Sequence, residues 1–339
     1  MTVCPALSRR TLLGSAAALA AASTAAAAAR AAEKEVTFAY QDMVVPFRVL
    51  MEQGGIEKKT GYKINWRKFG GGGDVVRAMA SGNVALGEAG SSPIATAASQ
   101  GLPIELFWIL DDIGNAEQLV VRDGTGVTSV AGLRGKTVAT PFVSTSHYQL
   151  MFALQKAGLA PGAVKVVNMR PPEIAAAWER GDIDATFIWD PVLARVKQNG
   201  KVLASAEEIA KEGRPTFDGL IVDRAWAAAN KGFMVELVKL LAAADAAYTG
   251  DPAKWTPDSP EVKAVAKWTG AAAADVPAGM AAYRFPNLAQ QASAEWLGGG
   301  AAKALLDTAM FLKEQGRVPE VAADYGRFVN TEFVRDAMK

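Results

Sequence analysis

The chain is poor in the residues that most often do chemistry. Its 339 residues include one histidine, His147, and one cysteine, Cys4. A single imidazole excludes His-clustered zinc chemistry. Cys4 falls in a segment expected to be removed, so the mature chain should carry no thiol, disulfide or cysteine metal ligand. Charge of one sign is not in excess either: 36 Lys and Arg offset 35 Asp and Glu, for a formal net charge of +1. No strong field follows, which argues against a nucleic-acid partner. Beyond the N-terminal segment no run of about eighteen apolar residues occurs, so the mature chain is expected to be soluble. Gly70-Gly71-Gly72-Gly73 lacks the Lys and Ser/Thr of a P-loop, and neither it nor the 298–300 glycines make a G-x-G-x-x-G turn in the right context. No G-x-S-x-G motif is present. Asp111-Asp112 and Glu207-Glu208 lack the spaced oxygen partners of a calcium loop and read as solvated. The chain therefore reads as a non-enzyme that needs neither a cofactor nor a metal.

What is present begins at the N-terminus. Ser8-Arg9-Arg10-Thr11-Leu12-Leu13 precedes an Ala-rich stretch that ends near Ala29-Arg30-Ala31. A basic start, an apolar run and small residues at a cleavage point describe a secretory signal, and adjacent arginines indicate the twin-arginine route. Residues 1–32 are expected to be cleaved, leaving a periplasmic protein.

The mature chain alternates short apolar runs with helical patterns. Strands are expected at residues 36–40, 63–67, 84–87, 104–110 and 118–122, and again at 136–140, 164–168, 185–189 and 220–222. A helix at 75–81 is expected with Asp74 as its N-cap, and later Ala-rich segments at 234–248, 261–267 and 301–315 read as helices. This order predicts an α/β fold with two lobes, each an open, mostly parallel sheet covered by helices. The expected first lobe holds residues 33–122 with 223–339, the late helices returning to cover it. The second holds 123–222. Ligands of such sheets bind outside the carboxyl ends of the strands, and lobe junctions are favoured pocket positions.

Three polar clusters fall where that cleft would be. Gly90-Ser91-Ser92-Pro93 follows a strand and opens a helix, where bare N–H groups, hydroxyls and the positive dipole end suit an oxyanion. The plain alternative is N-capping by a serine. Ser144-Thr145-Ser146-His147-Tyr148 repeats the pattern in the other lobe. Its serines lie too near His147 for a converging triad, so a positioning or hydrogen-bonding role is expected of that histidine. The third cluster is acidic and aromatic: Tyr40-Gln41-Asp42, Trp189-Asp190 and Asp218. Carboxylates there would take an ammonium, and an aromatic wall would add cation–π attraction. The alternative is that Asp190 caps a helix and Trp189 is core. Oxyanion and ammonium sites together predict a short zwitterion, an amino acid or an aminosulfonate.

At these residues the chain resembles the periplasmic substrate-binding proteins of taurine ABC importers. The resemblance is carried by Phe38-Ala39-Tyr40-Gln41, Asn65-Trp66-Arg67-Lys68-Phe69, Gly90-Ser91-Ser92-Pro93, Pro141-Phe142-Val143-Ser144-Thr145-Ser146-His147-Tyr148, Ala175-Ala176-Ala177-Trp178-Glu179-Arg180-Gly181-Asp182-Ile183-Asp184 and Pro215-Thr216-Phe217-Asp218, and it continues through Phe311-Leu312-Lys313-Glu314-Gln315-Gly316. It implies the type II periplasmic-binding fold and delivery of taurine or a related small sulfonate to a membrane permease driven by a separate ATPase. It implies that Ser91, Ser92, Ser144, Thr145 and His147 hold the sulfonate and that Asp218 takes the amine. Tyr40 and Gln41 match the cleft edge, and Trp189 the aromatic wall. The expected assembly is a monomer. Three positions depart from the family pattern: Val45 replaces a Glu, Asp190 an Ala, and Asp42 a neutral residue. Either acid has been relocated within the pocket or the preferred solute differs. An enzyme on the same fold, of the thiamine-pyrimidine-synthesis kind, would need a His or Cys constellation and usually a cytosolic chain. A binding protein for a different zwitterion or amine, or a sensor partner, is the other alternative.

Overall fold

A computed structural model describes residues 34–339. The expected signal segment and its cleavage point lie outside the described residues. Ten strands are found there: β1 (Glu35–Tyr40), β2 (Lys63–Lys68), β3 (Leu86–Gly90), β4 (Ile104–Asp112), β5 (Glu117–Arg122), β6 (Thr137–Thr140), β7 (Lys165–Asn168), β8 (Ala185–Trp189), β9 (Gly200–Ser205) and β10 (Phe217–Asp223). They form two five-stranded sheets, in the orders β2-β1-β3-β10-β4 and β7-β6-β8-β5-β9. In each, two parallel neighbours flank one strand, β1 or β6, and an antiparallel strand, β10 or β5, sits between the third strand of the order and the last. The same winding is used twice. This is the type II periplasmic-binding fold, two α/β lobes.

The antiparallel strand of each sheet comes from chain expected in the other lobe. β5 pairs with β8 and β9 of the second lobe, and β10 pairs with β3 and β4 of the first. The chain therefore crosses near residues 113–116 and again before 217, not at 122 and 222 as the sequence suggested. The apolar cores of these strands, Leu119–Val120–Val121 and Leu220–Ile221–Val222, are fully buried and report burial alone. Nothing in them says which sheet they join. β9 was not expected: its exposed Lys201 and Val202 hide the strand pattern at the sheet edge.

The helix after β2 runs Gly72–Ala80, so Asp74 lies inside the first turn instead of capping it. There Asp74 pairs with Arg77 and, at 3.2 Å, with Arg170 of the second lobe. The late helices Lys231–Gly250, Pro260–Thr269 and Gly300–Glu314 do return to the first lobe, placing Phe233, Leu237, Leu241, Val265 and Leu305 in its core. The last of these also sends Phe311 and Leu312 against Tyr148 of the second lobe. Among the described residues no helix is long and apolar enough to cross a membrane.

Candidate ligand-binding site

Three strand-to-helix turns converge between the lobes. β2 leads to the helix Gly72–Ala80, β3 to Ser91–Ser99, and β6 to Thr145–Lys156. The first N–H groups of each helix have no partner within the helix and carry its positive dipole end. All three starts reach one small cavity with about 290 Å3 of space between atoms, part of it open to solvent. Gln41, Met43, Gly72, Gly90, Pro93 and Asp218 line it from the first lobe. Glu117, Ser144, Thr145 and Trp189 line it from the second, and Tyr283 from the late segment. The lobes are closed on it. A Cβ at Gly90 would lie 2.7 Å from Thr145 Cγ2 across the cleft, and one at Gly72 2.5 Å from Pro93 Cγ within the first lobe. Glycine is required at both places for these turns to approach so closely.

The opposite chemistry is supplied by carboxyl groups. Glu117 accepts a hydrogen bond from Thr145 Oγ1 at 2.5 Å, and its Oε2 has no protein donor. Burial lifts its pKa to about 7 against the opposing hydrogen bond from the Thr145 hydroxyl. Asp218 is pushed well above the ordinary carboxylate range by burial, then by Glu117 and Glu88. No lysine or arginine lines the cavity. The nearby guanidinium of Arg48 is fully buried and committed to Glu88, at 2.6 and 2.9 Å. That ion pair serves Gln41: Glu88 accepts from the Gln41 N–H, its carbonyl accepts from Gln41 Nε2 at 3.0 Å, and Arg48 donates to the Gln41 carbonyl at 3.1 Å. Gln41 is thus locked where β1 ends at the cavity.

Of the expected site residues, Gln41, Ser144, Thr145, Trp189 and Asp218 line the cavity. The others are placed differently. Tyr40 packs edge-on against Trp66 and Trp268. Asp42 accepts from Trp189 Nε1 at 2.9 Å across the cleft, and burial raises its pKa. Ser91 Oγ accepts from the Phe217 N–H, tying β10 to the helix start. Ser92 and Ser146 are buried with hydroxyls that meet no protein acceptor within hydrogen-bond reach. Asp190 accepts from the Ala194 N–H at 2.8 Å, the plain helix-start role. Its other oxygen abuts Gly279.

Ser144 lines the cavity, but its hydroxyl is engaged: it accepts from the His147 N–H and donates to the Pro141 carbonyl at 2.6 Å. What the turn offers a ligand is backbone N–H. His147 does not line the cavity at all. Its ring stacks on Phe142, and its Nδ1 accepts from the N–H of Val143, a branched residue at φ 64°. Burial, and then Arg317, depresses its pKa to about 4, so the ring is neutral. His147 pins the strained turn that presents Ser144 and Thr145.

The sequence reading also missed residues. Glu117 and Tyr283 belong to the site. Asp111, read as solvated, is fully buried on β4 opposite Asp218.

Against known proteins, residues 58–254 match the family model described as NMT1/THI5 like. The chain belongs to the NMT1/THI5-like family. A relative, the taurine-binding periplasmic protein of Escherichia coli K12, is 39% identical over 97% of this chain and 99% of its own length. Among solved structures, the alkanesulfonate-binding protein from Xanthomonas axonopodis pv. citri, bound to MOPS, is similar with a TM-score of 0.74 and 24% identity, over 88% of this chain and 99% of that one. The periplasmic aliphatic sulphonate binding protein from Escherichia coli is similar with a TM-score of 0.68 and 23% identity, over 87% and 97%. These two likenesses concern the fold.

Proposed function

We propose that the chain is the solute-binding component of an ABC importer, capturing taurine or a related small aminosulfonate by closing its two lobes. The observation that carries this reading is the cavity itself: three helix N-termini and two buried carboxyl groups face one small space with no lysine or arginine in its lining. An anion alone would leave Glu117 and Asp218 unpaired, and a cation alone would leave the helix starts unpaired. A short zwitterion answers both. The sulfonate oxygens accept from the backbone N–H groups at the starts of the three helices. The ammonium donates to Asp218 and Glu117 beside the Trp189 and Tyr283 rings.

Closure follows from this arrangement. Asp218 and the Gly72 and Ser91 helix starts sit on the first lobe; Glu117 and the Thr145 helix start sit on the second. Each end of the solute takes partners from both lobes, so only the closed form completes both sets, and the ligand stabilises closure by its differential affinity. The full partner set is a permease with its ATPase, reached in the periplasm by a monomer. The relative named for taurine, matched along nearly its whole length, supports the solute class. An enzymatic role finds no nucleophile–base pair here: Ser144 gives its proton to Pro141, and His147 stands off the cavity.

Calorimetry with taurine and with ethanesulfonate, which lacks the amine, tests the reading. Taurine should bind with micromolar or tighter affinity and ethanesulfonate more weakly. No heat from any small sulfonate at millimolar concentration would overturn it.

A further inference from the structure

Asp111 is a buried carboxyl group that the proposed site leaves without a task. It lies on β4 directly opposite Asp218 on β10. Opposite residues of an antiparallel pair project to the same face, with Cβ atoms about 5 Å apart. A register shift follows immediately after Asp218 in this pairing, so the two acids sit at the last regular step before the strands deviate. The Asp111 side chain is fully buried, and neither of its oxygens accepts a hydrogen bond from an N–H or hydroxyl of the described residues. The polar group it meets is the Asp218 carboxyl.

The surroundings of the pair are mostly acidic. Asp112 lies beside Asp111 on β4, Asp245 approaches from the helix Lys231–Gly250, and Tyr283 faces both acids. Asp218 additionally feels Glu117 and Glu88, and Arg48 from behind its ion pair. Two adjacent carboxyl groups in such a place cannot both ionise, and one retains a proton. Asp218 lines the cavity, whereas Asp111 does not. Both belong to the first lobe, so their contact does not depend on closure.

We propose that Asp111 is a positioning residue that keeps its proton and donates a hydrogen bond to Asp218, so that Asp218 remains a carboxylate aimed at the ammonium end of the solute. The purpose, though not the placement of the proton, rests on the aminosulfonate reading above. Burial and the neighbouring Asp218 hold Asp111 well above the ordinary carboxylate range; burial, Glu117 and Glu88 raise Asp218 too, but the hydrogen bond from Asp111 and the charge of Arg48 oppose that rise. The specificity consequence is direct. Without its donor Asp218 is a desolvated carboxylate with no partner, and it takes up the proton itself or turns away from the ligand.

Infrared spectroscopy of the unliganded protein at about pH 8, where an ordinary carboxylate is fully ionised, tests the proton's place. The wild-type spectrum should contain a protonated-carboxyl band that Asp111→Asn removes. An unchanged band would overturn the proposal. Binding tests the purpose. Asp111→Asn retains an N–H donor and should keep taurine affinity. Asp111→Leu should weaken taurine about tenfold or more and leave ethanesulfonate unchanged. Equal losses for the two sulfonates, or equal losses in the Asn and Leu variants, would reduce Asp111 to a packing role. If the wild type bound neither sulfonate, the aminosulfonate reading would fail, and the infrared result would still decide where the proton resides.

Discussion

Trp189 of the second lobe donates its indole N–H to Asp42 of the first at 2.9 Å, and both side chains are buried by the closure that brings them together. The hydrogen bond exists only when the lobes meet, so it belongs to the closed form alone. Asp42 does not line the cavity. It latches the two lobes together from outside the cavity lining.

The latch gives a kinetic prediction. Asp42→Ala leaves the indole N–H without its acceptor and should destabilise the closed form by about 1–3 kcal/mol, so that ligand leaves about tenfold faster or more. Asp42→Asn keeps a carbonyl acceptor and should release ligand at close to the wild-type rate. Stopped-flow release of bound taurine measures both, and identical rates in all three proteins would show that the contact carries no weight.

Glu117 makes binding depend on pH. In the closed cavity its pKa rises from the ordinary 4.5 to about 7. A carboxyl group raised in this way favours the closed, empty form below its ordinary pKa, and that support is lost as pH climbs through about 7. An ammonium takes the place of the proton. Taurine binding should therefore release a proton and tighten between about pH 6 and pH 8, by at most about tenfold per unit. Glu117→Gln should abolish the slope. Calorimetry in buffers of different ionisation enthalpy reads the proton count directly, and a zero count in the wild type contradicts the prediction.

Asp218 should discriminate between ligands. Asp218→Asn removes the charge facing the ammonium and should cost taurine about 2 kcal/mol or more. Ethanesulfonate, with no amine, should be affected far less. Parallel losses measured by calorimetry would take Asp218 out of the amine site.

Two glycines separate closure from folding. Gly90→Ala places a methyl group 2.7 Å from Thr145 Cγ2 on the other lobe. It should leave the melting temperature of the unliganded protein nearly unchanged, weaken taurine about tenfold, and keep the particle extended in small-angle scattering with ligand present. Gly72→Ala places one 2.5 Å from Pro93 Cγ within the first lobe. That overpacking should destabilise the fold itself, by about 1–3 kcal/mol in denaturant unfolding.

Much of this architecture is legible in the residues. The serine-bearing helix starts after β3 and β6 stand where the alternating pattern puts them, because local rules of strand, turn and cap determine them. What local rules cannot assign is the destination of a hydroxyl or a carboxyl. Ser144 looks like a ligand donor and spends its proton on Pro141. Asp111 looks solvated beside Asp112, which does reach solvent through its ion pair with Arg284, yet the strand continues through both and buries one of them. His147 has the polarity of a binding group and serves a backbone turn instead. Glu117 is visible as an acid opening a strand whose centre, Leu119–Val120–Val121, is apolar, but its meaning depends on β5 crossing to the second lobe. Long-range pairing decided Asp111 and Glu117, whereas Ser144 and His147 are engaged by backbone three and four residues away.

The exchange of β5 and β10 reaches further than the cleft. Each occupies an interior place in its sheet, β10 between β3 and β4, and β5 between β8 and β9. A fragment ending after β4 would have a missing plank in the middle of its floor, with two rows of unmatched N–H and C=O groups facing the gap. A first-lobe fragment cut before β10 should therefore aggregate, whereas residues 117–216 carry all five strands of the second sheet, so the first lobe is completed only after the second has been threaded.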